Sequence, residues 1–191
     1  MTTKTVKKSI VLLSIVLSSC TNDNTEITPV NEVEYITTVT AVFKSQNGGS
    51  DVVLEFKDLD GEGANSPIIT TSPFQQKKTY LGSVTFKNEL LSPAQDITPE
   101  ILDEALEHQL FYQVTGNLNP LAYATNKTNY DQNGKPIGLQ SVFKTDGAAS
   151  GILRLTLRHG PNKNAPEVAS GNIKNAGGAT DVQVDFPITV Q

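Results

Sequence analysis

Apolar and polar residues alternate along most of the chain after residue 33. One segment has apolar residues at Tyr35, Val39, Ala41 and Phe43, and a second segment, after the turn Asn47-Gly48-Gly49-Ser50, has them at Val52, Leu54 and Phe56. A period of two is typical of strands that bury one face. The two segments and their turn therefore predict a β-hairpin.

The same alternation recurs further along the chain, and the whole pattern predicts about nine strands. The additional segments are Ile68-Ile69, Tyr80–Phe86, Leu110–Val114, Leu121–Tyr123, Ile137–Phe143, Leu153–Leu157 and Val182–Val190. Pro187 has no N–H to donate to a neighbouring strand, so we expect the last strand to lie at a sheet edge.

One segment follows a helical period instead. Thr98-Pro99-Glu100 supplies an N-cap residue followed by proline at the first helical position, and apolar residues follow at helical spacing from Ile101 to Leu106. The pattern predicts a helix of about 11 residues that docks on the sheets, because so short a helix is marginal alone.

Many short strands with one helix in a connection predict an all-β fold. We expect an antiparallel β-sandwich of immunoglobulin-like outline, with a barrel as the alternative. The domain is predicted to cover residues 33–191. No disulfide holds it together, because the chain has a single cysteine.

The first 32 residues predict an export signal and a tether. Lys4, Lys7 and Lys8 precede the apolar segment Ile10–Leu17, which is too short to span a bilayer and is typical of a signal peptide over residues 1–19. Leu17-Ser18-Ser19-Cys20 resembles the lipobox of bacterial lipoproteins, which implies that Cys20 is acylated and becomes the first mature residue. Residues 20–32 are then a polar tether, and the protein is expected in the cell envelope, anchored by lipid to the outer membrane.

Charge argues against nucleic acid as a partner. The formal net charge is −5, and removal of the three lysines of the predicted signal peptide brings it to −8. Proteins that neutralise phosphates need clustered Lys and Arg instead.

An acidic segment between two predicted strands suggests calcium. Asp58, Asp60 and Glu62 alternate and are followed by Gly63, with Asn65 as a further oxygen donor. Alternating carboxylates and a glycine are features of calcium loops, but the bidentate glutamate of an EF-hand is missing at the twelfth position. The alternative is an exposed acidic turn.

The two histidines offer a second candidate site. Glu104 and Glu107 lie near His108 on the predicted helix, and His159 continues the core-facing row of Leu153–Leu157. If the fold brings the two histidines together, they form a zinc or copper pair with Glu104 or Glu107 as third ligand. The alternatives are a solvated acidic helix face and a hydrogen-bonded histidine at the end of the core.

Covalent catalysis has little support in the sequence. There is no Gly-x-Ser-x-Gly motif, phosphate-binding loop or dinucleotide fingerprint, and the single cysteine belongs to the lipobox. The sequence therefore predicts no catalytic residue.

Several segments together resemble a family of small, uncharacterised lipoproteins of flavobacterial (Bacteroidota) type. They are Asp58-Leu59-Asp60-Gly61, Glu107–Tyr112, Leu157-Arg158-His159 with Pro161-Asn162-Lys163, and Asn175–Asp181. Some members carry names that invoke a type 1 periplasmic-binding fold. That fold has two α/β lobes, whereas this sequence predicts one helix among strands.

The favoured function is a non-enzymatic binding module whose ligand is a peptide, a glycan or another envelope protein. Its contact surfaces are expected in the loops Asp58–Pro67, Ser72–Lys78 and Gly160–Gly178. The alternatives are a metal-binding or hydrolytic envelope protein that uses calcium, zinc or copper, and a passive spacer.

Overall fold

A computed structural model describes residues 1–2, 35–61 and 63–191 of the chain. Residues 3–19 of the predicted signal peptide, Cys20 and the tether lie outside these residues, as does Glu62. Residues Val33–Gln191 form one compact unit. Across the described residues, no helix has both the length and the apolar character needed to cross a bilayer.

The described residues form ten strands, one α-helix and three short 3-10 helices. The strands are β1 (Thr38–Ser45), β2 (Val52–Lys57), β3 (Ile68–Thr71), β4 (Thr79–Asn88), β5 (Gln95–Asp96), β6 (His108–Val114), β7 (Ala122–Tyr123), β8 (Gln140–Lys144), β9 (Ala149–His159) and β10 (Ala179–Val190). The helix α1 spans Thr98–Asp103, and the 3-10 helices span Lys127–Asn129, Val168–Ser170 and Ile173–Asn175.

The strands form two antiparallel sheets, which gives a sandwich-like, mostly β molecule. The larger sheet has the order β3-β2-β1-β4-β8-β7, with β5 paired to β4, and the smaller has the order β10-β9-β6. The predicted hairpin of β1 and β2 is confirmed. The predicted edge position of Pro187 is confirmed as well, because β10 is the edge strand of the smaller sheet and its other side is bridged only at Val190, by Phe74.

The core lies between the two sheets, where side chains from the inner faces pack together. Its fully buried members include Val39, Ala41, Phe43, Leu54, Phe74, Tyr80, Phe86, Leu110, Leu157 and Phe186. Alternate positions of β4 and of the second half of β10 are buried, as the period of two predicts. Tyr35 is an exception: it is 67% exposed, because β1 begins only at Thr38.

The predicted helix was too long. α1 ends at Asp103, Glu104 leaves the helical conformation, and His108 already belongs to β6. The N-cap is Ile97 rather than Thr98, whose hydroxyl oxygen accepts a hydrogen bond from the Phe86 N–H. Pairing of β6 with β9 satisfies the backbone from His108 onward, and this tertiary pairing outweighs the weak propensity of a short helix.

Two of the three predicted contact loops are partly buried. The loop of residues 160–178 covers the outer face of the smaller sheet, where Phe111, Val168 and Ala176 pack together. In the loop of residues 72–78, Phe74 enters the main core. Residues 63–67 of the third loop are exposed, as expected.

Candidate metal centre

Strand register places the two histidines side by side. His108 begins β6, His159 ends β9, and the two are direct partners in the antiparallel pairing. The next pair on the same face is Leu110 with Leu157, both of which are buried in the core. The histidines therefore close the core at one end of the smaller sheet.

The two imidazoles face each other through ring nitrogens. Nδ1 of His159 lies 3.1 Å from Nε2 of His108, and the ring planes are inclined by 83°. Two nitrogens bound to one tetrahedral zinc ion at ~2.0–2.1 Å lie about 3.4 Å apart. The observed separation fits two ligands on a common metal ion, and it also fits an N–H···N hydrogen bond between the rings.

Oxygen acceptors lie beside the other nitrogen of each ring. Nδ1 of His108 is 3.3 Å from the backbone oxygen of Glu104 and 3.7 Å from its carboxylate oxygen Oε2. Nε2 of His159 is 3.3 Å from Oε2 of Glu107. These oxygens can accept a hydrogen bond from an N–H on the outer nitrogen of each ring, and a metal ion bound to the two facing nitrogens requires that tautomer.

In that tautomer the two facing nitrogens repel each other unless a cation lies between or beside them. Metal-bound histidines in proteins commonly donate their second N–H to a carboxylate or a carbonyl oxygen, which fixes the tautomer and the ring orientation. The oxygens around His108 and His159 have this arrangement. The geometry of the pair is therefore compatible with a metal ion bound to the two facing nitrogens.

Acidic side chains complete the cluster. One ligand atom each from Glu104, His108 and His159 lies within 4.8 Å of the other two. Oδ2 of Asp181 lies 3.6 Å from Nε2 of His108. The His108 side chain is fully buried, and the side chains of His159 and Asp181 are 16% and 11% exposed. Water therefore screens the contact between Asp181 and His108 only weakly, whereas the side chains of Glu104 and Glu107 are 46% and 63% exposed.

A buried lysine holds the acidic segment in place. Nζ of Lys163 donates to the backbone oxygen of Ala105 at 2.5 Å and to Oδ2 of Asp131 at 3.1 Å. Burial lowers the pKa of the Lys163 ammonium, while the Asp131 carboxylate acts in the opposite direction. Lys163 thereby ties the 160–178 loop to the segment that carries Glu104 and Glu107.

The acidic segment at Asp58 has a local hydrogen-bonding arrangement. Oδ1 of Asp58 accepts from the N–H groups of Asp60 and Gly61, at 3.2 and 2.9 Å. Oδ2 of Asp60 accepts from the backbone and side-chain nitrogens of Asn65, and these bonds hold the pKa of Asp60 below its usual value. The carboxylates thus stabilise an exposed turn, and calcium binding by Asp58, Asp60, Glu62 and Asn65 stays a prediction, because Glu62 lies outside the described residues.

A groove of about 600 Å³ runs from the acidic turn at Asp58 to Asp181, and neither histidine is among its lining residues. Asp58 and Asp60 line one part of it and Asp181 another, with the apolar side chains of Tyr35 and Phe56 among its walls.

Asp181 was missed by the sequence reasoning, which considered Glu104 and Glu107 as third ligands. Alternation along β10 groups Asp181 with Gln183 and Asp185 on the outer face. The register shifts between Thr180 and Val182, so this grouping fails at Asp181. The sequence did offer one signal for Asp181, because the residue belongs to the segment Asn175–Asp181, which is among those that carry the family resemblance.

Comparison with known proteins gives no relative: no protein-family model, no curated protein and no solved structure matches this chain.

Proposed function

We propose that this chain is a lipid-anchored protein of the bacterial envelope that binds a divalent transition-metal ion, zinc or copper, through His108 and His159. The observation that supports the metal most directly is the pair of facing ring nitrogens at 3.1 Å, each ring having an oxygen acceptor at its other nitrogen. Imidazole is a good ligand for both metals.

The resemblance to flavobacterial lipoproteins agrees with this location of the site. Three of the segments that carry the resemblance contribute residues to the histidine cluster. The first contains Glu107 and His108, the second His159, and the third Asp181. The fourth, Asp58–Gly61, lines the groove that reaches Asp181. We extend the proposal to the fold, as an immunoglobulin-like sandwich over residues 33–191. The two antiparallel sheets support that assignment.

Zinc titration of the purified full chain in detergent, after removal of metal with a chelator, tests the binding. We expect one Zn²⁺ per chain by calorimetry and a rise in melting temperature, because a ligand that binds only the native state stabilises it. His159→Gln should remove both effects. Ser150→Ala, an exposed substitution at the other end of β9, serves as the control and should change neither.

Copper provides a direct view of the ligands. The electron paramagnetic resonance spectrum of the Cu²⁺-loaded chain should show coupling to two imidazole nitrogens, and His159→Gln should leave one. Absence of saturable zinc and copper binding in the wild-type chain would refute the proposed function. In that case the facing nitrogens share a proton only.

The lipid anchor is tested separately. We expect Cys20→Ala to move the protein from the membrane fraction to the soluble fraction of lysed cells, because acyl chains provide the attachment. Thr25→Ala, five residues further along the proposed tether, should leave the membrane fraction unchanged. Membrane association of the Cys20→Ala variant would contradict the anchor.

A further inference from the structure

The geometry points to Asp181 as the carboxylate ligand of this metal, beside Nε2 of His108 and Nδ1 of His159. This inference rests on the proposed metal binding and assigns the third ligand of the same site. It differs from the expectation that Glu104 or Glu107 fills that role.

A β-bulge gives Asp181 its position. Thr180 pairs with Arg158 and Val182 pairs with Leu157, so Asp181 is an extra residue between two consecutive pairs of β10 and β9. Val182 shares the inner face with Leu157, whereas Thr180 lies on the outer face, where its hydroxyl contacts the Arg158 guanidinium. Bulges redirect a side chain that regular pairing would place elsewhere, and they are frequent beside functional sites.

The redirected carboxylate lies beside the metal-binding edge of His108. Oδ2 of Asp181 is 3.6 Å from Nε2 of His108, which is the nitrogen that faces His159. Ligand atoms on one metal ion lie about 3–3.5 Å apart at the bond lengths of zinc. A small movement therefore brings the carboxylate oxygen and the two nitrogens to a common ion.

Glu104 and Glu107 lie at the outer nitrogens. The Glu104 carboxylate is near Nδ1 of His108, and the Glu107 carboxylate is near Nε2 of His159. An ion between the facing nitrogens lies on the other side of each ring. The two glutamates accordingly act as positioning residues, which hold the imidazoles as outer partners commonly do.

Two imidazoles and one carboxylate leave a coordination position for an exogenous ligand. Zinc sites with three protein ligands keep their fourth position for water or another small molecule, unlike closed structural sites. The side chains of Asp181 and His159 are 11% and 16% exposed, so that position lies next to solvent. We therefore expect the metal to exchange with chelators and to accept a small anionic ligand such as azide.

Affinity measurements with matched variants test the assignment. We expect Asp181→Asn to weaken zinc binding by more than about 100-fold, because losses of about 10–100-fold are typical of outer partners alone. Glu104→Gln should weaken zinc binding by no more than about 10-fold, at the lower end of that range, because the closer contact of His108 is with the Glu104 backbone oxygen, which the variant keeps. Asp185→Asn removes the same charge from the same strand and is the control.

Copper spectroscopy separates the assignment from the proposed function. In Asp181→Asn the two-nitrogen coupling should remain while the g values shift, because only an oxygen ligand is lost. Asp181→Glu, which keeps a carboxylate, should recover part of the affinity and serves if the asparagine variant folds poorly. The assignment of Asp181 is overturned if Asp181→Asn keeps wild-type zinc affinity, or if Glu104→Gln loses more zinc affinity than Asp181→Asn does. In either case the metal-binding proposal stands. No metal binding by the wild-type chain overturns both.

Discussion

Nδ1 of His159 faces Nε2 of His108 across 3.1 Å, although 51 residues separate the two in the chain. The contact is produced by the register of β6 and β9 rather than by any local motif. The cluster also depends on β10, which carries Asp181 and pairs with β9 on its other side. Substitutions that displace the ends of these three strands should therefore affect metal affinity as well as stability.

Gly178 allows β10 to begin close to His159. A Cβ at Gly178 would lie 2.2 Å from the His159 backbone oxygen, and its φ is +73°. We expect Gly178→Ala to lower the free energy of unfolding by about 2–4 kcal/mol, as a left-handed alanine and a backbone clash combine. Zinc affinity should fall as well. Urea denaturation and zinc calorimetry measure the two effects.

Gly177→Ala is the matched control for that change. Gly177 has a similar φ of +62°, but a Cβ there meets nothing within 4 Å. Gly177→Ala should therefore lower the free energy of unfolding only by the cost of a left-handed alanine, about 1–2 kcal/mol. Equal losses in the two variants would show that the approach to His159 has no energetic consequence.

Lys163 should contribute strongly to stability through its buried pair with Asp131. The two side chains are 5% and 1% exposed, so Lys163→Met leaves a buried carboxylate without its cation. We expect a loss of about 3–5 kcal/mol in urea denaturation. Addition of Asp131→Asn to this variant should restore part of the loss, because the uncompensated charge is removed. A double variant no more stable than Lys163→Met contradicts the role of the charge.

Asp185 should make stability depend on pH in acid. Its carboxylate accepts two hydrogen bonds of 2.7 Å from Arg154, and the guanidinium holds the pKa of Asp185 below its ordinary value of 3.8. A lowered pKa in the folded state means that the pair stabilises the protein above pH 3.8 and that this contribution is lost as the pH falls through the folded pKa.

Urea denaturation of the wild type and of Asp185→Asn measures this contribution. The difference in unfolding free energy between them should shrink as the pH falls below about 4, and it should be smaller in about 1 M salt, since both groups are partly exposed. A difference that stays constant down to about pH 2 would exclude the ion pair as its source.

Phe74 should anchor the loop of residues 72–78 to the core. Its ring makes edge-to-face contacts with Phe43, Tyr80 and Phe143, at centroid distances of 5.0–5.1 Å. We expect Phe74→Ala to cost about 3–5 kcal/mol in thermal or urea unfolding. The control is Leu91→Ala, because Leu91 is 50% exposed and its loss should cost no more than about 0.5 kcal/mol. Similar costs for both substitutions would place the loop outside the cooperative core.

The strands were predictable because their physics is local to each segment. The alternation of Val39, Ala41 and Phe43 reports which face is buried, and a turn rich in Gly and Asn ends the segment. Helix length was not predictable in the same way. The acids after Asp103 suit a helix, but β9 competes for the backbone from His108 onward, and that partner lies 51 residues away.

The site was only partly visible in the sequence. His159 could be placed on the core-facing side from the period of Leu153–Leu157, and the structure puts His108 beside it. The position of Asp181 depends on a single extra residue in β10, which reverses the side on which the acid lies. The alternation of apolar and polar residues from Val182 onward gives no sign that one extra residue precedes it, so the bulge at Asp181 could not be predicted from the sequence.

The bulge also has an evolutionary consequence. Deletion of the Asp181 codon joins Thr180 directly to Val182. Because these two residues already pair with the neighbouring residues Arg158 and Leu157, the result is a regular antiparallel pairing in which every core side chain of β10 keeps its place. Insertion of one acidic codon at the same point does the reverse. A lineage can therefore gain or lose the carboxylate in one mutational event without repacking the interior, and related chains that differ by one residue here are expected to differ in their response to metal.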